Sequence, residues 1–295
     1  MRLARPYPLE DYTPQLELAA PPTPGADEAP EAPGIRRSAL QSAIAGFHLL
    51  SRYHRCEVRG IDNIPEGPAL LVANHNGGLN PVDGLFLVEY YRKRGYDRPV
   101  YVLAHDILFR IKKIAALLES VGIIRARRGQ ARELLEAGHK VLVFPGGDIE
   151  SLRPFRDRRR IVLAQRQGFA RLALRAGVPI VPVVSAGSHE TMIVLTRGHR
   201  LARLIQTHKW ARISSLPVIL AAPWGLLFGP TCALPYLPLP SKITFQVGEP
   251  LEVAPRPHTE LEAAEKAPRI YQQVEQTMQA MLDALYDERL LPIFG

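Results

Sequence analysis

A histidine stands at the point where an apolar run gives out. In PALLVANHNGGLNPVDGLFLV, residues 68–88, the stretch 68–73 is rich in Leu, Val and Ala, and Asn74-His75 follow it directly. Such a run reads as a buried strand of an α/β sheet. A glycine-bearing turn comes next, then Pro81, and a helix-like stretch opens near Asp83. A His at the carboxyl end of a strand, with a carboxylate a few residues on, lies where open α/β sheets place their active sites. If the turn brings that carboxylate to one imidazole nitrogen, the other can take a proton, which is the arrangement of a general base. Taken alone, His75 also reads as a satisfied structural histidine.

Three later segments add chemistry. In KVLVFPGGDIESLRPFRDRRR, residues 140–160, a strand Val141–Phe144 runs into Pro145-Gly146-Gly147. Glycines let backbone amides approach a ligand closely, and amides aimed at one point bind phosphate or an oxyanion. Asp148, Glu150 and Ser151 follow as polar candidates for an acceptor site. The run Arg153, Arg156, Arg158, Arg159 and Arg160 is either a solvated face or a cradle for cofactor phosphates or anionic headgroups. In VGIIRARRGQARELLEAGHK, residues 121–140, Arg125, Arg127 and Arg128 follow a short strand. They suit phosphate binding, or are surface cations at a helix start. In AGVPIVPVVSAGSHET, residues 176–191, Val178–Val184 is a buried strand with two prolines and a structural role. His105 and His189 are further, weaker candidates for a base.

These residues need a frame. Candidate strands fall at 69–73, 99–104, 121–124, 140–144, 178–184 and 242–247. Candidate helices fall at about 83–94, 106–119, 129–137, 163–176, 188–206 and 259–287. The alternation predicts an α/β fold with a largely parallel sheet flanked by helices on both faces. Ahead of it, residues 35–54 form a basic amphipathic helix, with Leu40, Ile44, Phe47, Leu50 and Tyr53 at helical spacing. It either packs on the domain or lies on a membrane surface. Residues 1–34, rich in Pro, Ala and Glu without a period, read as a disordered tail. The main domain is expected over 55–290.

Residues 213–241 carry no charged side chain, yet prolines 217, 223, 230, 235, 238 and 240 interrupt them. Prolines this frequent break intrahelical bonding, and lipid offers no replacement partner, so a straight transmembrane helix is excluded. The segment reads as a membrane-docking flap with Trp224 and Tyr236 as interfacial anchors, in preference to an irregular apolar wall. The net charge of +8 predicts anionic partners, and no zinc-finger, basic-zipper or aromatic RNA-binding signature points to nucleic acid. Two scattered cysteines, Cys56 and Cys232, form no metal pattern and suit a reducing cytoplasm. The N-terminus lacks an apolar core of signal-peptide length.

Taken in order, the four segments resemble the lysophospholipid and glycerolipid acyltransferase (PlsC-like) family over about residues 55–250. The matching motifs are Asn74-His75, Gly122–Arg128, Phe144-Pro145-Gly146-Gly147 and Val178-Pro179-Ile180-Val181-Pro182-Val183. The FPGG form and the stretch GFARLALRAGVPIVPV are most similar to the branch with monoacylglycerol and diacylglycerol acyltransferases. The resemblance implies transfer of a fatty acyl group from acyl-CoA or acyl carrier protein to a hydroxyl of a lipid acceptor. In that scheme His75 is the base, and no metal or further cofactor is needed. It implies Asn74, Arg127, Phe144, Pro145, Gly146, Gly147 and Glu150 as substrate-binding residues. It also implies a peripheral place at the cytoplasmic face of a membrane.

Two departures from the family pattern matter. The Asp that lies five residues after the His in most of the family is Asn80 here, which makes Asp83 the expected partner of His75 and Asn80 the alternative. Gly146 replaces the glutamate of an FPEG motif, which points away from glycerol 3-phosphate or lysophosphatidate and toward a neutral or weakly polar acceptor. The competing expectation, prompted by Asn80, is a catalytically degenerate lipid- or acyl-CoA-binding protein on the same fold.

Overall fold

The computed structural model describes residues 34–76, 78, 80–198, 216–253, 259–291 and 294. Most of the expected tail thus lies outside the described residues. A seven-stranded sheet organises the chain: β1 (Glu57–Arg59), β2 (Ala69–Ala73), β3 (Val100–Ala104), β4 (Ile123–Arg125), β5 (Lys140–Val143), β6 (Ile180–Ala186) and β10 (Thr244–Val247). Its spatial order is β1-β10-β6-β2-β5-β3-β4. All pairings are parallel except that of β10 with β6. β2 lies at the centre and is buried along its whole length. The α/β class with a largely parallel sheet is therefore the one expected.

Period-two geometry splits each central strand between two cores. Leu70 and Val72 of β2 face a cluster with α4 (Arg128–Glu136), α6 (Gly168–Ala176) and the C-terminal helix α7 (Glu260–Asp287). Ala69, Leu71 and Ala73 face the opposite cluster with α1 (Arg37–Tyr53) and α2 (Phe86–Arg94). The amphipathic helix expected at 35–54 is α1. It buries Leu40 and Ile44 and rests Phe47 and Leu50 on the core, so it packs on the domain. Thr259 caps α7 by accepting from the Glu262 amide at 3.2 Å.

Two expectations are corrected. The helix placed at 188–206 is a short 3-10 turn, Ser188–Thr191, followed by strand β7 (Ile193–Thr196); residues 199–206 lie outside the described residues. β-branched Ile193, Val194 and Thr196 favour the extended form. The uncharged segment, described from residue 216, is built as regular structure. It supplies β8 (Val218–Ala221) and β9 (Gly225–Phe228), which pair antiparallel with β7 in a second, three-stranded sheet. Tyr236, expected as an interfacial anchor, is only 8% exposed and packs in that sheet's own core. Among the described residues no helix is long and apolar enough to cross a membrane.

Candidate active site

β2 stops at Ala73, and the next three residues must find substitutes for ladder hydrogen bonds. Asn74 is buried, and its side-chain amide bridges to the backbone of Ser185 on β6. Its Nδ2 donates to the Ser185 carbonyl at 3.1 Å and its Oδ1 accepts from the Ser185 amide at 2.9 Å. One side chain thus continues the β2–β6 pairing past the strand end. Asn74 accordingly clamps the turn, both ends of its side-chain amide being engaged by the Ser185 backbone.

His75 comes next, with 29% of its side chain exposed against 6% for Asp83. The two meet at 2.7 Å through His75 Nδ1 and Asp83 Oδ2. Asp83 sits on a 3-10 turn, Pro81–Gly84, with Pro81 at a first-turn position where a missing N–H costs nothing. The same carboxylate accepts from the Asn76 backbone amide at 2.6 Å and from Asn76 Nδ2 at 3.3 Å. It is thereby held as an acceptor facing the ring. Asn80 stands at the cap of that turn; its amide nitrogen is buried, with no hydrogen-bond partner among the described residues. Asp83, then, is the side chain brought to the imidazole.

The backbone of His75 is gripped from both sides by one short segment. Glu150, on α5 (Gly147–Ser151), accepts the His75 amide at 2.8 Å and the Val162 amide at 2.9 Å. Arg153 donates to the His75 carbonyl at 3.1 Å and to Asn76 Oδ1 at 2.7 Å. It also donates to the carbonyls of Glu150, Asp157 and Arg158. All five of its N–H groups are thus used, and the side chain is completely buried. Asn76 Nδ2 also reaches Ser185 Oγ at 3.1 Å, and Ser185 Oγ lies 2.6 Å from Ser188 Oγ. The result is a buried polar network running under the Asn-His turn.

Burial is the first cause that pushes the Glu150 carboxyl up to about 7, against the opposing effects of Arg153 and the two amide bonds. Glu150 is 0% exposed, and its carboxyl holds the His75 backbone; Arg153 beside it has every donor engaged within the protein. Gly146 explains its own identity. A Cβ there would collide with the Val162 carbonyl and stand 2.5 Å from Glu150 Oε2. The space an FPEG-type side chain would enter is filled by Glu150, one helical turn later.

The remaining candidates divide. Phe144 faces the site, its ring centroid 5.1 Å from that of His75. The Pro145 and Gly146 carbonyls accept from Arg166 Nη1 at 3.2 and 3.4 Å. The Gly147 amide closes the turn onto the Phe144 carbonyl at 3.1 Å and is not turned outward to a ligand. Arg127 is exposed just beyond β4, at the sheet edge three strands from β2. Ordinary strand spacing puts that about 14 Å away across the sheet, so the structure does not bring Arg127 to His75. His189 is buried and donates from Nε2 to the Arg153 carbonyl at 2.8 Å. Burial first, then Arg153, holds its pKa well below the usual range, so it is a neutral structural group. His105 is exposed past the end of β3, two strands from β2.

Sequence reasoning missed Asn76, Ser185 and Arg166. Arg166 follows two consecutive non-glycine residues in the left-handed region, Ala164 (φ 55°) and Gln165 (φ 56°). Each costs of order 1–3 kcal/mol and persists only when its surroundings impose it. The Tyr271 hydroxyl takes the Gln165 amide at 3.1 Å and helps to do so. Nothing in the local sequence signals this bend. Asn76, by contrast, is adjacent to His75 and could have been flagged as a turn residue that bonds its own backbone neighbours. Among the described residues no cluster of His, Cys, Asp or Glu could hold a metal ion.

Comparison with known proteins gives this geometry its context. The family model described as Acyltransferase matches residues 55–186. An uncharacterised protein of Mycobacterium tuberculosis is 35% identical over 260 residues, covering 88% of this chain and 69% of that one. A mouse protein named DGAT1/2-independent enzyme synthesizing storage lipids is 32% identical over 139 residues, 47% of this chain and 41% of its own length. Among solved structures, the 1-acyl-sn-glycerophosphate (LPA) acyltransferase PlsC of Thermotoga maritima aligns with 85% of this chain and 81% of that one, at 18% identity and a TM-score of 0.49. The family match spans the Asn-His turn, the FPGG loop and β6, and on these grounds the chain belongs to the PlsC-like acyltransferase family.

Proposed function

We propose that the protein moves a fatty acyl group from acyl-CoA or acyl carrier protein to a hydroxyl of a lipid acceptor, with His75 as general base. The observation that carries this reading is the 2.7 Å bond between His75 Nδ1 and Asp83. It commits Nδ1 as a donor to the carboxylate, so proton abstraction falls to Nε2. In the reaction, Nε2 takes the acceptor hydroxyl proton while that oxygen bonds to the thioester carbonyl carbon. The tetrahedral intermediate then expels the thiolate, which takes the proton back from the imidazolium. Asp83 orients the ring and stabilises its cation. No covalent enzyme intermediate, metal or further cofactor enters this scheme; the acyl thioester is a co-substrate.

The acceptor proposed is neutral or weakly polar, such as a partial glyceride, a long-chain alcohol or a lysolipid. Supporting this, Arg153 is buried with all its donors engaged, and Arg127 lies across the sheet. The storage-lipid name of the mouse relative points the same way. The proposed working place is the cytoplasmic face of a membrane, held peripherally. An acyl-CoA thiol-release assay over neutral and phosphorylated acceptors tests the reading. Release should depend on a neutral acceptor, and His75→Ala should lower it at least ~100-fold. Acceptor-independent release, or full activity in His75→Ala, overturns it. The Asp83 contact favours this transferase over a binding-only protein.

A further inference from the structure

The three-stranded sheet breaks a rule that antiparallel sheets ordinarily follow. One face of such a sheet packs on a core and the other, toward solvent, is polar. Here Val194, Ile219 and Leu227 face inward with Met192 and Tyr236. The outward face is apolar as well. Leu220 pairs across from both Ile193 and Leu226, and Val218 pairs across from Phe228. Leu195, Leu220, Leu226 and Phe228 are 52%, 42%, 47% and 55% exposed, and Trp224 and Leu237 beside them are 54% and 65% exposed. The chain from 216 to 241 contains no charged residue. A contiguous apolar face of this kind on a single chain marks an interaction surface.

Its position and its rim say what covers it. The inner face of the sheet lies against the catalytic turn: a Cβ on Gly78 would stand 2.8 Å from the Tyr236 hydroxyl and 3.1 Å from Met192 Cε. The outer face is thus one sheet thickness from the His75 loop. β7 leads out through Arg197. The connection from there to β8, residues 199–215, carries Arg200, Arg203, Lys209 and Arg212 and no carboxylate. An apolar face free of charge, followed in sequence by a stretch whose only charges are cations, suits a bilayer leaflet, whose acyl chains take the one and whose anionic headgroups take the other. A protein partner would call instead for polar groups at the rim of the face itself, as ordinary interfaces have.

We propose that the outer face of the β7–β8–β9 sheet is a membrane-insertion surface that seats the catalytic turn at an anionic bilayer. This rests on the reading of a lipid acceptor given above, and its test separates the two. Vesicles of phosphatidylcholine and phosphatidylglycerol in equal parts are floated with the full chain and with the Leu226→Ser/Phe228→Ser variant. Two lost apolar anchors should weaken flotation at least ~10-fold. With Trp210 replaced by Phe, the emission of Trp224 should shift to the blue when vesicles are added. Transfer to a vesicle-embedded acceptor should fall in parallel, while transfer to a short-chain soluble acceptor stays within about 2-fold, since neither residue touches the His75 site. Flotation of the variant equal to the parent overturns the proposal. So does a parent that dimerises through this face by light scattering without binding vesicles. Vesicle binding without transfer to any acceptor would leave the docking surface standing and sink the transferase reading.

Discussion

Around His75 and on the outer face of the small sheet, the usual distribution of residues is inverted in opposite directions. Beneath His75 the protein buries what is normally exposed: Arg153 and Glu150 at 0%, Asn74 at 1% and Asp83 at 4%. On the small sheet it exposes what is normally buried, with Leu and Phe side chains about half accessible. Each inversion has a counterweight that the other lacks. The buried charges meet a full set of hydrogen-bond partners, so the network is rigid and any single loss leaves an orphan in a dry interior. The exposed apolar residues keep about half of their surface uncovered, so their loss costs the fold little. One region is built for positioning, the other for contact.

That contrast can be attacked from its strongest point downward. Asp83→Asn keeps the shape but replaces the acceptor that fixes the imidazole's tautomer and supports its charge. Transfer activity should fall by ~10³-fold or more, with circular dichroism unchanged, whereas Asn80→Ala should change activity less than about 3-fold. Comparable losses in the two variants would return Asn80 to the partner's role. Arg153→Met removes five donors at once and leaves five acceptors without them. Urea unfolding should show a loss of about 3–5 kcal/mol. A loss under 1 kcal/mol would mean that the buried clamp is not a unit.

Glu150 offers a test through pH. Its folded pKa, raised from 4.5 to about 7, means that the native state holds a proton that the unfolded chain has already released across that window. Stability attributable to this group is therefore greatest at low pH and declines as pH rises from about 4.5 to about 7, by up to about 3 kcal/mol. Glu150→Gln should flatten that part of the curve. The difference in unfolding free energy between parent and variant, taken at about pH 5 and about pH 8, measures it. A difference that does not change with pH would place the carboxylate in water. The smallest effect belongs to the other region. Leu226→Ser and Phe228→Ser should each move the unfolding free energy of the chain in buffer by no more than about 0.5 kcal/mol, by the same urea titration. Losses of several kcal/mol would show that the face is covered from within.

Sequence reasoning reached the sheet most surely where strands are wholly apolar and bounded by turn residues. The candidate at 69–73 coincides with β2, and the helix expected at 259–287 is α7. It failed at β7, where an amphipathic helical period beyond residue 188 concealed a four-residue strand. It also gave no strands within the uncharged segment, because prolines and glycines do not reveal that Val218–Ala221 and Gly225–Phe228 pair with each other. At the site, the pairing of His75 with Asp83 was legible because both stand on one short turn. Glu150 and Arg153 were visible as residue types, but their roles were not. A buried acid and a surface acid look the same in a string of letters.

What the sequence by itself determined is the Asn-His turn and the class of fold. The order of apolar runs and turn residues dictates a parallel α/β sheet, and the local spacing of His75, Pro81 and Asp83 lets one short loop close a carboxylate onto an imidazole. Tertiary structure alone decided which groups hold that loop. Asn74 reaches Ser185 and Arg153 reaches Asn76 across separations of 111 and 77 residues, and only the folded sheet brings them together. It also decided that Arg127 stands across the sheet from His75 while Arg153 is sealed inside, and that the apolar strands beside the turn leave an apolar face outward. Burial, which sets the value of every charge and every apolar side chain, is a property of the assembled fold and not of the residue.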